Sequence, residues 1–234
     1  MTDDLAQRLG LGRRELVAIV GAGGKSTLMF ALGRQLGAAG ARVILTTTTR
    51  VGEDQAAPPI CWSSDPAAVE AALEQGDPVF VAAGREPGKI TGPSPETVDL
   101  LFGRTGADYV VVEADGAAGL AIKAPAEHEP VIPGASTTVV VVASLAAVGR
   151  PISAVAHRPE RLAMLIGAQP GDRLTIGGAA ALLLHPAGGL KGIPDRAKVV
   201  MAITHVAPET AELAAALTGI LAAHPRVERA ITMA

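Results

Sequence analysis

A seven-residue glycine-rich segment, Gly21-Ala22-Gly23-Gly24-Lys25-Ser26-Thr27, stands between the apolar run Glu15 to Val20 and a helical pattern with Leu28, Leu32 and Leu36 on one face. A short β-rich run, then glycines, then a 3.6-residue period reads as strand, loop, helix. A helix that starts where a strand ends aims unsatisfied N–H groups and a partial positive charge at whatever lies in front of it, which makes an anion site. Glycines at 21, 23 and 24 permit positive φ and let the backbone wrap phosphate oxygens where a side chain would collide. In that frame Lys25 bridges the outer phosphates of ATP or GTP, and Ser26 ligates magnesium through its hydroxyl.

The full spacing G-x-x-x-x-G-K-[ST] would put its first glycine at position 19, which is Ile19. The loop is therefore a shorter G-x-x-G-K-S-T form, and it resembles the loops of ATP-dependent Mur-type ligases and allied P-loop proteins. A glycine-rich turn with a solvent-facing lysine is the plainer alternative. A dinucleotide fingerprint is the sharper one: Gly21-Ala22-Gly23 begins G-x-G-x-x-G, but its third glycine falls on Ser26. No acidic ribose-binding residue follows; Thr46 to Arg50 close the second strand instead, which would suit only the phosphorylated ribose of NADP.

Strand and helix patterns go on alternating. Strands are expected at Arg42 to Leu45, Pro78 to Ala82, Asp108 to Val112, Thr137 to Val142, Ala197 to Thr204 and Val227 to Thr232. Helices are expected at Pro66 to Glu74, Glu96 to Phe102, Arg158 to Ile166, Ile176 to Leu184 and Glu209 to Ala222. Gly84 to Pro95 reads as a surface excursion, and the proline-bearing stretch Gly116 to Gly134 as an irregular binding loop. Hydrophobic residues make up 49% of the 234 but aromatics only 2%, so the core must be packed from Ala, Val, Leu and Ile, which suits strands covered on both faces. The expected architecture is α/β: a P-loop NTPase-like, doubly wound, mostly parallel sheet with helices on both faces. It is expected as a single domain over 1–234 with an elaborated second half at about 117–195.

Charge and cysteine content narrow the function classes. The formal net charge is −3 with dispersed Lys and Arg, so the basic stripe that drives nucleic-acid binding is missing. The lone Cys61 permits no intramolecular disulfide and no paired-thiolate metal site. The opening residues carry an acidic pair where a secretory signal would be basic, and the apolar run Val139 to Val148 is too short to span a bilayer as a helix. No membrane association and a cytoplasmic location are expected.

Several residues are candidate partners of the phosphate loop. Tyr109-Val110-Val111-Val112-Glu113-Ala114-Asp115-Gly116 is an apolar strand ending in two carboxylates, and it resembles a Walker B strand. Glu113 could reach the metal, Asp115 could orient the attacking group, and the Gly116 N–H could approach the γ-phosphate; the sequence leaves the choice of carboxylate open. Thr46 to Thr49, with Thr47 and Thr48 foremost, could coordinate metal or bond γ-oxygens, or reflect β-propensity alone. Arg50 reads as a surface arginine. In the second half, Lys123, His128 and Glu129 sit on a proline-stiffened loop that could hold a second substrate. Lys191, in His185-Pro186-Ala187-Gly188-Gly189-Leu190-Lys191-Gly192-Ile193-Pro194, could complete another anion nest. His157-Arg158-Pro159 reads as a helix start.

Taken together, Gly21 to Thr27, Thr46 to Thr49, Glu113 to Gly116, Lys123 to Pro133 and Gly188 to Pro194 resemble the YqeC family over nearly the whole chain. The most specific stretch is Glu-Ala-Asp-Gly followed by Ile122 to Pro133. The resemblance implies a nucleotide-dependent accessory role in maturing a selenium-containing molybdenum cofactor, with that cofactor or a selenium-dependent hydroxylase as partner. Where many GTPases carry a base-reading Asn-Lys-x-Asp segment, this chain has Thr204-His205-Val206-Ala207, which leans toward ATP. Three classes follow: a magnesium-dependent NTPase, transferase or ligase; a nucleotide-switched cofactor-binding chaperone; and an NADP-dependent oxidoreductase.

Overall fold

A computed structural model describes residues 4–53 and 59–234; the first three residues of the opening segment lie outside them. The chain adopts an α/β fold with a mostly parallel sheet and divides into two compact units. The first comprises residues 1–19, 26–116 and 131–138, and the second 20–25, 117–130 and 139–234.

In the first unit, β1 (Glu15–Gly21, shared with the second unit at its end), β8 (Tyr109–Glu113), β2 (Val43–Thr47), β5 (Val79–Val81) and β4 (Ile60–Cys61) lie side by side in that order. Their pairings are parallel. Burial explains the composition of these strands: Leu16 to Val20 and Val110 to Val112 have at most 3% of their surface exposed, which needs apolar residues at consecutive positions rather than alternate ones. Leu16, Ile44, Val79, Val110 and Val112 pack with Val69 and Leu73 of α3 (Pro66–Leu73) and Val98 and Leu101 of α4 (Pro95–Arg104). Both helices start on a residue whose side chain accepts from the first turn, Asp65 and Ser94, each followed by proline. The helix after the glycine-rich segment, α2 (Lys25–Ala38), buries Leu28, Leu32 and Leu36 as its period requires.

Gly84 to Pro95 is more ordered than its composition suggested. Strands β6 (Gly84–Glu86) and β7 (Lys89–Thr91) form an antiparallel hairpin, and β3 (Arg50–Gly52) pairs with β7 to complete a three-stranded sheet. The turn is Pro87-Gly88, with Gly88 at φ 70°, the arrangement a proline followed by a positive-φ glycine favours.

The second unit contains β10 (Thr138–Ser144, entering from the first unit at Thr138), β12 (Lys198–Thr204) and β13 (Arg229–Thr232), neighbours in that order, with β12 and β13 parallel. Helices α6 (Pro159–Ile166), α7 (Ile176–Leu184) and α8 (Ala211–Ala222) follow the expected positions within two residues. The loop from Gly116 is not wholly irregular: β9 (Ile122–Lys123) pairs in parallel with β11 (Ala156–His157). Among the described residues no helix is long and apolar enough to cross a membrane.

Candidate functional site

The glycine-rich turn is shaped by what surrounds it. Gly21, Gly23 and Gly24 all have positive φ, at 96°, 84° and 113°. A Cβ on Gly21 would lie 2.2 Å from the Val142 carbonyl oxygen, and one on Gly23 would lie 2.6 Å from the Ser144 Cβ. Conformation and close approach therefore both demand glycine at these two positions. The neighbouring Ala22 N–H donates to the same Val142 carbonyl at 2.9 Å, so the turn is pinned to β10 by a hydrogen bond. Lys25 is buried, and its Nζ donates to the Gly21 carbonyl at 2.9 Å, closing the loop on itself.

A residue that motif reading passed over holds the same loop. The Thr204 hydroxyl, at the end of β12, donates to the Gly23 carbonyl at 2.5 Å. The same hydroxyl lies 3.0 Å from Nδ1 of the exposed His205. His205 has φ 55°, uncommon for a residue with a side chain.

In the first unit, the sheet register sets Glu113 opposite Ile19 of β1 and Thr47 of β2. From there Ser26 Oγ donates to Glu113 Oε2 at 2.6 Å, across 87 positions of sequence. Two oxygen groups anticipated as magnesium ligands thus meet directly. Asp115 is buried two residues further on, and Gly116 is partly exposed. Thr47 and Thr48 are arranged around the same strand end. Thr47 Oγ1 donates to the Glu113 carbonyl at 2.8 Å and accepts the Thr49 N–H; the Thr48 N–H donates to the Glu113 carbonyl, and its Oγ1 to that of Val131. Their hydroxyls serve the backbone of this strand end.

The second-half candidates also meet, in a different way. Glu129 Oε2 accepts from Lys123 Nζ at 3.0 Å, Arg158 Nη1 at 2.8 Å and the Ala126 N–H at 3.1 Å. The Lys123 side chain is 1% exposed. Burial alone would raise the Glu129 pKa, but the Ala126 amide, Lys123 and Arg158 outweigh it and hold the carboxyl at about 2. Lys191 Nζ donates to three carbonyls, those of Ala126, Glu127 and Glu129, so it clamps the loop that carries the ion pair. Burial, then the neighbouring Arg161 charge, lower its pKa. His128 is exposed. Arg158, expected only as a helix start, does precede α6, but in a left-handed conformation that accompanies a charge contact with Glu129.

A mostly parallel α/β sheet whose first strand runs through a tight glycine turn into a helix is the class these observations define. The YqeC family, described as YqeC protein, matches residues 17–160, more than half of the chain. The Escherichia coli (strain K12) "Uncharacterized protein YqeC" is 36% identical over 187 residues, covering 78% of this chain and 73% of the relative. The chain belongs to the YqeC family.

Proposed function

We propose that the protein binds a nucleoside triphosphate with magnesium on the Gly21 to Thr27 segment. The observation that carries this reading is the 2.6 Å hydrogen bond between Ser26 Oγ and Glu113 Oε2. A hydroxyl and a carboxylate oxygen are the hard donors magnesium takes, and one or two protein ligands suffice where phosphates and water complete the octahedron. Among the described residues no cluster of three His, Cys, Asp or Glu forms a separate metal cage. When bound, magnesium and triphosphate supply a phosphoryl group activated for transfer.

The chain's own residues then have distinct tasks. The loop amides and Lys25 hold phosphate oxygens, with Lys25 exchanging the Gly21 carbonyl for a charged partner. Ser26 and Glu113 hold the metal. Asp115, buried beside that strand end, orients the attacking group, and Gly116 brings its N–H toward the terminal phosphate. Thr47 and Thr48 keep the Glu113 backbone in place. Catalysis of this kind rests on positioning and electrostatics. The acceptor that the family resemblance implies is a species in maturation of a selenium-containing molybdenum cofactor, held through the second half around Lys123, His128, Glu129 and Lys191. ATP is the favoured nucleotide, because Thr204-His205-Val206-Ala207 offers no carboxylate to bond guanine.

One observation favours a second reading. Lys123 and Glu129 neutralise each other in a buried pair, so these two groups suit a rigid binding face better than proton transfer. That arrangement fits a nucleotide-switched cofactor chaperone. Multiple-turnover formation of a product supports the enzyme; stoichiometric binding and release of cofactor supports the chaperone. The shared nucleotide claim is tested by calorimetric titration of ATP with and without magnesium into wild type, Ser26→Ala and Glu113→Gln. Magnesium should tighten binding to wild type and have little effect on either variant; an equal magnesium effect in all three refutes the metal assignment.

A further inference from the structure

Strand β12 ends in an irregularity beside the glycine-rich turn. Ile203 pairs with Thr232, and the Met233 N–H donates to the Ile203 carbonyl at 2.7 Å. A regular parallel ladder would next bring the His205 N–H to the Met233 carbonyl; the Val206 N–H takes that place, at 3.0 Å. One extra residue is thus inserted, and the left-handed His205, at φ 55°, is where the chain absorbs it. Bulges of this kind re-aim a side chain. Here that side chain is Thr204, buried and held between the two bonds to Met233.

The hydrogen bond from the Thr204 hydroxyl to the Gly23 carbonyl orients a whole peptide. The Gly23–Gly24 bond is trans, so its C=O and N–H point in opposite directions. With the carbonyl drawn toward β12, the Gly24 N–H faces away from that strand. Among the described residues neither the Gly23 nor the Gly24 N–H donates to a protein acceptor. A peptide between two glycines has wide conformational freedom, which makes a tether on its carbonyl decisive for where its N–H points. The contact is steric as well as polar: a Cβ on Gly24 would lie 3.5 Å from the Thr204 Cγ2. All of these residues belong to the second unit.

We propose that Thr204 is a positioning residue of the triphosphate site, holding the Gly24 N–H toward a phosphate oxygen, a role that rests on nucleotide binding at Gly21 to Thr27. Thr204 touches no phosphate in this role and acts through the Gly23–Gly24 peptide. An amide already aimed at its acceptor needs no ordering when the ligand arrives, whereas a released glycine peptide would be ordered at the expense of affinity.

The test follows the Gly24 amide directly. The full chain labelled with 15N is titrated with ATP and magnesium as wild type, Thr204→Val and Thr204→Ser; valine keeps the branched shape without the hydroxyl, and serine keeps the hydroxyl. In wild type the Gly24 proton resonance should move downfield on saturation as its N–H bonds phosphate. Thr204→Val should weaken binding about five- to tenfold, the range of one hydrogen bond's net contribution, and shrink the Gly24 shift at saturation. Thr204→Ser should restore both. A Thr204 that only supports the fold would lower the melting temperature of the valine variant and leave its affinity and Gly24 shift at wild-type values, and that result overturns the proposal. So does a Gly24 resonance unmoved in wild type while other amides of the turn respond. No response of any turn amide to ATP and magnesium overturns the nucleotide reading and this role with it, which tells the two failures apart.

Discussion

The glycine-rich segment at Gly21 and the proline-stiffened loop at Lys123 both drew attention in the sequence through a lysine in an unusual setting, yet they are held by opposite means. The first is shaped by steric necessity: its glycines occupy positive φ and lie where a side chain would strike Val142 or Ser144. Its lysine and the Thr204 hydroxyl donate to the backbone carbonyls of Gly21 and Gly23. The second is held by full charges. Lys123 and Glu129 face each other in a buried pair reinforced by Arg158, and an incoming ligand would have to match that interaction before gaining anything.

Breaking the buried pair should give the largest effect. Lys123→Ala leaves Glu129 with Arg158 and the Ala126 N–H and should destabilise the protein by about 3 kcal/mol, the lower end of the usual cost of removing one member of a buried ion pair. Chemical denaturation measures it. A loss below about 1 kcal/mol, typical of surface pairs, would mean that the two loops are alike after all.

Next comes the steric side. Gly21→Ala must relieve both a φ of 96° and a contact 2.2 Å from a backbone oxygen, so about 2 kcal/mol of stability or more should be lost. Wild-type stability in this variant would show that the turn is adaptable and its glycines dispensable to the fold.

The smallest effect concerns acid. The Glu129 carboxyl is held at about 2 in the folded protein, from an ordinary value near 4.5. A depressed carboxyl stabilises the fold fully above its unfolded pKa and loses that contribution as pH falls through its folded pKa. Between pH 4.5 and 2, Glu129→Gln should therefore lose stability less steeply than wild type. Parallel acid limbs in the two melting profiles would show that the pair does not couple to protons.

Much of this architecture was legible because burial writes itself into composition. Glu15 to Val20 and Val110 to Val112 are apolar at consecutive positions, as strands covered on both faces must be. Helix α2 announces itself through Leu28, Leu32 and Leu36. The sheet of β3, β6 and β7 was not legible: its strands have three residues each, too few for periodicity, and β3 finds β7 across some forty positions. Pro87-Gly88 was the available signal, and its hairpin meaning was hidden in a stretch rich in breakers. The meeting of Ser26 with Glu113 could be anticipated from motif chemistry. Thr204 could not, because its role depends on a single hydroxyl reaching Gly23 from 181 positions away. Arg158 was likewise invisible: an arginine at a helix start states nothing about which carboxylate it will face.

The central claim is that the Gly21 to Thr27 segment binds a magnesium-bound triphosphate through Lys25. Thermal stabilisation of the purified protein by ATP, GTP and NADPH, each with and without magnesium, tests it when wild type is compared with Lys25→Ala. The account predicts a magnesium-dependent rise with a triphosphate, ATP above GTP, that the variant loses because a charge-assisted contact is worth about 1.5–3 kcal/mol, ten- to a hundredfold in affinity. No response to either triphosphate, with stabilisation by NADPH instead, would contradict it.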